Sequence, residues 1–232
     1  DMMRFYGAQA EQIFDLPFAP ILEFSKQVPR PELSAAYDLE RPYFIVCNQF
    51  WVHKSTETVI EAAAIARRRG MAVDVVFTGK MEEPRKPGYI ESLRKMVDDL
   101  GVADRVRFLG YIPKDDQLEL MKHAVAVIQP TLFEGGPGGG AVYDAFSLGI
   151  RSIVTDIPIN HELPLDPKTL VMFEKRNAED LVAKMQVFLE TPHTAPSPED
   201  LYQLSRASAR KLSERLYEAI DYTRGLQAEG RP

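Results

Sequence analysis

Apolar and polar positions alternate along the chain in two different periods from residue 43 onward. Short apolar, β-branched runs are separated by segments in which apolar residues recur at helical spacing, and this alternation is typical of parallel βαβ units. The fold class that it predicts is α/β, with a Rossmann-like, doubly wound parallel sheet. The predicted strands are 43–48, 72–78, 106–109, 124–129, 151–155 and 170–173, and the predicted helices are 56–69, 89–100, 114–123, 140–148 and 178–190.

Glycines mark the ends of three of these helices. Gly70, Gly101 and Gly149 each follow directly after a predicted helix. A residue just past a helix end often adopts left-handed backbone angles, which glycine reaches without steric cost.

The two ends of the chain fall outside this alternation. Residues 1–42 contain a helical stretch (MMRFYGAQAEQIF), the extended or strand-like LPFAPILEF and the proline-rich KQVPRPEL, and they are interpreted as the remnant of a preceding domain with its linker. Residues 43–192 form the predicted central domain. In residues 193–232, TPHTAPSP precedes a last predicted helix near 198–222. Because the chain opens at Asp1 and not at a methionine, we expect it to be a fragment.

Composition and charge narrow the function. The 232 residues are 45% hydrophobic and 27% charged, as in ordinary globular proteins, and the net charge of −6 disfavours nucleic acid as a partner. The single cysteine, Cys47, lies in the apolar run YFIVC and is predicted to be core; it fits a reducing, cytoplasmic location. No apolar run reaches the roughly twenty residues that span a bilayer, and the four histidines lack zinc-ligand spacing.

The most informative segment is the turn between the fourth and fifth predicted strands. Five of the six residues from Gly135 to Gly140 are glycine, and Glu134 and Asp144 bracket them. Glycine-rich backbone at a helix start can direct N–H groups at an anion, and the flanking carboxylates can accept hydrogen bonds from sugar hydroxyls. The alternative is a flexible surface loop with two solvated acids. Because the turn joins a strand to a helix, where open α/β sheets bind ligands, the pattern favours a nucleotide-sugar site.

Several motifs between residues 43 and 189 together resemble the C-terminal, donor-binding half of a GT-B glycosyltransferase of the retaining family 4 (group 1) type. In chain order they are CNQFWVHK, TGK, RVRFLGYIP, QPTLFEGGPGGGAVYDAFSLG and SIVTDIPINHE. The resemblance also likens the last helix to one that crosses back to an N-terminal acceptor domain, which this chain lacks.

The resemblance implies a role for each matching residue. Lys54 would contact the donor pyrophosphate and Glu134 the hydroxyls of the transferred sugar; these two are the expected catalytic residues. Asp144 would bind the ribose. The backbone of Gly138, Gly139 and Gly140 would cradle sugar and phosphate. The donor site would also include Tyr111 and Ile112, which would border the base, and Gln49, which stands where the family usually has an arginine.

Two further departures from the family's pattern affect these roles. Nine residues separate Glu134 from Asp144, where the family has seven between two acids, and the second acid here is aspartate. With Gln49 in place of arginine, one phosphate charge lacks its partner, and His53 or a residue outside this chain would have to compensate.

The expected activity is transfer of a hexose from a nucleoside-diphosphate sugar to a hydroxyl acceptor on a polysaccharide, a lipid-linked glycan or a small molecule. No cofactor or metal is expected, since no Asp-x-Asp cluster follows a strand. The fragment alone is expected to be inactive. Other interpretations are a nucleotide-sugar epimerase or phosphorylase of the same architecture, and a non-catalytic module that binds a nucleotide or a protein. A dinucleotide-dependent oxidoreductase is disfavoured, because no Gly-x-Gly-x-x-Gly follows the first strand.

Overall fold

A computed structural model describes residues 2–16, 32–163, 166–194 and 196–228. Its internal contacts divide the chain into two compact units. One comprises the described residues of Glu23–Ser197, and the other those of Asp1–Leu22 together with those of Pro198–Pro232.

The larger unit contains a single six-stranded sheet. Every neighbouring pair of strands is parallel, and the strand order is β3-β2-β1-β4-β5-β6. This is the doubly wound order of a Rossmann-like sheet, so the predicted fold class is confirmed. The strands are β1 (Tyr43–Cys47), β2 (Asp74–Thr78), β3 (Val106–Gly110), β4 (Ala126–Gln129), β5 (Ser152–Thr155) and β6 (Leu170–Phe173).

The described helices of the larger unit flank and connect these strands. Those of the larger unit are α2 (Leu33–Ala36), α3 (Thr56–Arg68), α4 (Tyr89–Asp99), α5 (Lys114–His123), α6 (Gly139–Ser147) and α7 (Ala178–Glu190), and the smaller unit holds α1 (Met2–Tyr6) and α8 (Pro198–Ala228). Gly70, Gly101 and Gly149 follow the ends of α3, α4 and α6 with φ of +74°, +65° and +66°. The predicted glycine caps are therefore confirmed.

The core of the larger unit lies against the central strands. Phe44 and Ile45 of β1 and Ile128 of β4 are fully buried, as expected for strands covered by helices on both faces. Ala62 and Ala66 of α3 are also buried, and such small side chains allow a helix to approach its neighbours closely. Packing on both faces leaves the ends of the strands as the place where polar side chains can meet.

Helix α8 and the described N-terminal residues pack together in the smaller unit. The ring of Tyr222 contacts the ring of Phe14 at 5.8 Å between centroids, and its hydroxyl donates to the carbonyl of Glu11. The Arg215 guanidinium lies over the Phe14 ring, with 4.0 Å to the centroid, and donates to the Asp15 carbonyl.

The predicted helical stretch at the start of the chain corresponds to α1 and a short 3-10 turn at Ala10–Gln12. The predicted extended segment LPFAPILEF and the proline-rich stretch lie almost entirely outside the described residues. No helix in the described ranges is both long and apolar enough to cross a membrane.

Candidate functional site

The loops that follow β1, β2 and β3 lie side by side at the carboxyl edge of the sheet. The Asn48 N–H donates to the Thr78 carbonyl (3.1 Å), and the Gly79 N–H donates to the Gly110 carbonyl (2.8 Å). A Cβ atom on Gly79 would lie only 1.9 Å from the carbonyl oxygen of Asn48. Glycine is therefore required at residue 79 for the first two loops to approach this closely.

Lys54 and Glu134 meet at this edge, 80 residues apart in the chain. Lys54 ends a 3-10 turn and is only 7% exposed, and its Nζ contacts Glu134 Oε1 directly. The next residue, Ser55, has a left-handed φ of +50° before α3 begins. Non-glycine residues with such backbone angles carry strain and cluster at functional sites. The two residues expected to be catalytic thus form one largely buried ion pair.

The glycine-rich turn folds against this ion pair. Gly138 and Gly139 have φ of +67° and +63°, and α6 begins at Gly139, one residue before the predicted start. The Gly138 N–H donates to Asn160 Oδ1 (2.8 Å), and the Gly139 N–H donates to the Pro137 carbonyl (2.8 Å). In this arrangement neither N–H is available to an anion. The cradling of sugar and phosphate by the backbone of Gly138, Gly139 and Gly140 stays a prediction.

Two buried amide side chains hold the turn in place. Gln129 Nε2 donates both to Glu134 Oε1 (3.2 Å) and to the Gly138 carbonyl (3.1 Å), and Gln129 Oε1 accepts from Asn48 Nδ2. Asn160 is fully buried; it accepts from Gly138 as described above, and its Nδ2 donates to the Thr155 carbonyl (2.9 Å). The network fixes Glu134 and the turn relative to the strand ends.

The sequence interpretation did not single out Gln129 or Asn160. For Gln129 a signal was available, because this polar residue ends the apolar run VAVIQ. An amide in a buried strand needs hydrogen-bond partners, and such partners are provided by other polar side chains or by the backbone.

Asp144 has a cationic partner that the sequence interpretation also missed. Lys114, at the start of α5, places Nζ against Asp144 Oδ2 and also donates to Gln117 Oε1 (3.1 Å). The Asp144 side chain is 19% exposed, whereas that of Lys114 is 54% exposed. The carboxylate expected to bind the ribose is therefore partly accessible, and the lysine that pairs with it is largely exposed.

The remaining predicted donor-site residues differ in their exposure. Tyr111 is 82% exposed directly after β3, whereas Ile112 is 8% exposed and packs inside. Gln49 is exposed in the loop after β1. All three lie in loops at the carboxyl edge of the sheet, and their contacts with a base or phosphate stay predictions.

Two titratable groups near the site have shifted pKa values. Partial burial, together with the nearby charges of Lys54 and Arg85, lowers the pKa of His53. A neutral His53 imidazole would be a poor replacement for the arginine that usually stands at the position of Gln49. Burial raises the pKa of the Cys47 thiol to about 12. The Cys47 thiol is enclosed, although the residue as a whole is only partly buried, because Cys47 is the last residue of β1 and lies at the edge of the sheet.

The candidate site is an open edge and does not coincide with the groove of about 510 Å³ elsewhere on this unit. That groove lies between α3 and the turn before α7 and is lined mainly by charged residues such as Glu61, Arg68 and Glu179. The groove contains none of the predicted site residues, and both positively and negatively charged side chains line it. We therefore place the candidate site at the carboxyl edge of the sheet, where the polar side chains described above meet. Within the described ranges, no group of three or more His, Cys, Asp or Glu side chains could hold a metal ion.

A family model described as glycosyl transferases group 1 matches residues 30–209, which is most of the chain. The chain belongs to this glycosyltransferase family. Its match includes every predicted site residue. The membership confirms the resemblance that the motifs from CNQFWVHK to SIVTDIPINHE indicated.

Curated relatives of this group 1 glycosyltransferase chain are longer than the chain itself. Alpha-D-kanosaminyltransferase of Streptomyces kanamyceticus is 23% identical over 219 residues, which cover 89% of this chain and 55% of that protein. The GDP-mannose-dependent alpha-(1-6)-phosphatidylinositol monomannoside mannosyltransferase of Mycobacterium tuberculosis is 36% identical over 90 residues, 38% of this chain and 21% of that protein. The chain thus spans about half, or less, of the length of these relatives.

Two solved structures have a similar fold. Sucrose-phosphate synthase from Thermosynechococcus elongatus superposes with a TM-score of 0.71 at 19% identity and covers 98% of this chain and 56% of that chain. Anabaena HepE in complex with UDP gives a TM-score of 0.72 at 16% identity and covers 93% and 59%, respectively. At these identities the likeness establishes the fold.

Proposed function

We propose that this chain is the donor-binding part of a retaining glycosyltransferase that moves a hexose from a nucleoside-diphosphate sugar to a hydroxyl acceptor. The observation that supports the proposal most is the contact between Lys54 and Glu134 beside the glycine turn. One cation and one hydrogen-bond acceptor, both held in place by buried neighbours, are what a leaving diphosphate and its sugar require.

Lys54 would stabilise the leaving group. When the glycosidic bond breaks, negative charge accumulates on the departing diphosphate, and an ammonium group that is already desolvated stabilises that charge strongly. Without ligand, the charge of Lys54 is balanced by Glu134. A donor would supply phosphate oxygens to Lys54 while its sugar hydroxyls donate to Glu134, so each member of the pair gains a new partner.

Asp144 and Lys114 would serve the nucleoside side of the donor in the same way. The carboxylate of Asp144 would accept from ribose hydroxyls, and the largely exposed ammonium of Lys114 would turn from Asp144 towards the diphosphate. Tyr111 and Ile112, after β3, would border the base. HepE was solved with UDP, and the mycobacterial relative is named for GDP-mannose, so both pyrimidine and purine donors occur among similar proteins.

The other interpretations differ in what surrounds this site. A nucleotide-sugar epimerase or phosphorylase would use the same donor contacts, and a non-catalytic module would bind a nucleotide without transferring its sugar. The family membership favours a transferase. The acceptor, which we propose to be a polysaccharide, a lipid-linked glycan or a small-molecule glycan, would be bound largely by an N-terminal domain of a longer parent protein.

Calorimetric titration tests the proposal directly. The chain would be titrated with UDP, GDP and ADP and with their sugar conjugates, alongside Lys54→Ala and Glu134→Ala. We expect one diphosphate to bind and Lys54→Ala to weaken it by about 10- to 100-fold, the value of a charge-assisted contact. Glu134→Ala should mainly remove the added affinity of the sugar conjugate.

Lys168→Ala is the matched control, because Lys168 is an exposed lysine in the turn before β6. It should bind like the unmodified chain. The same titration on a longer parent protein is the measurement that can exclude the transferase proposal. A parent that binds no nucleoside diphosphate would eliminate the transferase proposal and favour a protein-interaction module.

A further inference from the structure

Three aromatic rings cluster beside the Lys54–Glu134 pair. The rings of Trp51 and His53 are 5.5 Å apart between centroids, and those of His53 and Phe133 are 6.4 Å apart and nearly perpendicular. His53 directly precedes Lys54 in the chain, and Phe133 directly precedes Glu134. The aromatic cluster, defined as Trp51, His53 and Phe133, is therefore continuous with the candidate site.

The two loops that carry the cluster are tied together. The His53 carbonyl accepts from the Leu132 N–H (2.7 Å) and lies 3.3 Å from Thr131 Oγ1, so the loop after β1 is joined to the loop after β4. Thr131 is fully buried and also donates to the Phe133 carbonyl (2.6 Å). A fixed backbone on both sides presents the rings at a constant spacing.

The loop after β2 contacts the Trp51 ring of the cluster. The Arg85 guanidinium lies 5.2 Å from the centroid of the Trp51 ring, a cation–π distance. Glu83 accepts from Arg85 through both carboxylate oxygens (2.9 and 3.0 Å) and also accepts from the Val52 N–H (2.9 Å). The Glu83 side chain is 1% exposed and holds the Arg85 guanidinium, whose own side chain is 65% exposed, against the Trp51 ring.

The cluster nevertheless leaves apolar surface open to solvent. Phe133 is 68% exposed although it is anchored next to buried residues. Burying a phenylalanine side chain stabilises a protein by about 2–3 kcal/mol, so an exposed ring next to a candidate binding site is suited to a ligand that covers it. The ring faces carry partial negative charge and attract polarised C–H groups.

We propose that the aromatic cluster is a stacking platform for a pyranose ring of the glycan acceptor, next to the transferred sugar; this inference rests on the proposed function. A pyranose presents one face of C–H groups, which suits an aromatic ring, and a rim of hydroxyls, which suits the neighbouring polar site. The cluster is attached to the residues assigned to the leaving group and the transferred sugar. The residues assigned to the base and ribose lie elsewhere, Tyr111 in the loop after β3 and Asp144 within α6, so the platform serves the sugar end of the reaction.

Saturation-transfer NMR tests this inference with methyl α-D-mannopyranoside, methyl α-D-glucopyranoside and methyl β-D-galactopyranoside as probes. The spectra are recorded with the nucleoside diphosphate that calorimetry identifies, on the unmodified chain and on Phe133→Leu. Leucine keeps the apolar volume and removes the ring. Tyr217→Ala, which deletes an aromatic side chain that is 70% exposed on α8, is the matched control.

We expect at least one pyranoside to receive saturation, strongest at the C–H groups of one ring face, and the signal to fall about fivefold or more in Phe133→Leu but not in Tyr217→Ala. Trp51, the only tryptophan of the chain, gives a second readout, because a stacked sugar should change its fluorescence. Equal signals in the unmodified chain and Phe133→Leu, or none with any probe, would overturn the platform. A probe displaced by the nucleotide sugar but not by the diphosphate would overturn it too, since the platform would then hold the transferred sugar.

Diphosphate binding measured on the same samples separates the two proposals. If no diphosphate binds to the parent protein, the proposed function fails. If diphosphate binds equally well to the unmodified chain and to Phe133→Leu while the pyranoside signals do not depend on Phe133, only the platform fails.

Discussion

At the scale of single residues, the burial of Lys54 depends on Glu134. A charged ammonium that is 7% exposed is unfavourable unless an opposite charge lies beside it, and removing one member of a buried pair leaves the other uncompensated. The pair thus stabilises the fold and is also the expected contact of the donor.

We predict that Lys54→Met lowers the free energy of unfolding by about 3 kcal/mol, since it strands the carboxylate of Glu134. The double variant Lys54→Met/Glu134→Gln should recover a large part of that loss, because it removes both charges. Urea denaturation of the two single variants and the double variant measures the coupling. Additive losses would contradict a direct interaction in solution.

Glu83 gives the chain a pH dependence that can be measured. Hydrogen bonds from the Arg85 side chain, and then from the Val52 N–H, lower the pKa of this carboxyl from its ordinary 4.5 to about 2. A carboxyl with a lowered folded-state pKa stabilises the fold fully above its ordinary pKa, and the stabilisation is lost as the pH falls to the folded-state value.

We therefore predict that Glu83→Gln lowers the melting temperature at neutral pH and that its difference from the unmodified chain shrinks between about pH 4.5 and about pH 2. Thermal unfolding followed by circular dichroism over this range provides the measurement. Glu82→Gln, in the exposed neighbour, is the control. A difference that does not change with pH would indicate that the pKa of Glu83 is not lowered.

At the scale of elements, pairing explains where sequence prediction of the ends was accurate and where it was not. Strand β2 begins at Asp74 and not at residue 72, because Asp74 pairs with Tyr43, the first residue of β1. Helix α8 extends to Ala228, past the predicted end near residue 222, since a single glycine such as Gly225 costs a helix only about 1 kcal/mol. Periodicity identifies an element, but its neighbours decide its length.

The glycine turn provides a prediction at this scale. At Gly139, φ is +63°, and a Cβ atom would lie 2.9 Å from Gln129 Nε2 and 3.1 Å from Glu134 Oε1. We predict that Gly139→Ala displaces Glu134 and weakens binding of the nucleotide sugar by about tenfold, with a backbone penalty of about 1–2 kcal/mol. Calorimetry and thermal unfolding measure the two effects.

Gly136→Ala is the matched control for that variant, because a Cβ atom at residue 136 has no neighbour within 4 Å. It should keep both the melting temperature and the affinity. If both variants behaved alike, loop flexibility and not the geometry of the turn would explain the glycines.

At the scale of the whole molecule, the fold could be predicted from the alternation of strand and helix patterns in the sequence. The residues of the candidate site could be predicted only in part. The resemblance supplied Lys54 and Glu134. It did not supply Gln129, Asn160 or Lys114, because their partners are set by side-chain hydrogen bonds and ion pairs that have no signature in local spacing. The tertiary fold brings these polar groups together.

We also predict that this chain alone binds its diphosphate but transfers little sugar, since it spans about half the length of its relatives and the acceptor must be positioned for reaction. A transfer assay that compares the chain with the longer parent protein, at equal donor occupancy, measures the difference. Comparable turnover by both would show that the acceptor site lies within these 232 residues.

The Gln129 amide has a consequence for engineering. Its NH₂ group faces Glu134 and Gly138 while its oxygen faces Asn48, so a flipped amide would place oxygen against oxygen at two contacts. Only one orientation of the Gln129 amide satisfies these contacts, so this side chain fixes the positions of Asn48, Glu134 and Gly138 relative to one another. Libraries that aim at a new sugar or base should keep Gln129, Asn160 and Gly79 unchanged. They should vary exposed residues such as Gln49, Tyr111 and Phe133, where new contacts can be explored without dismantling the scaffold.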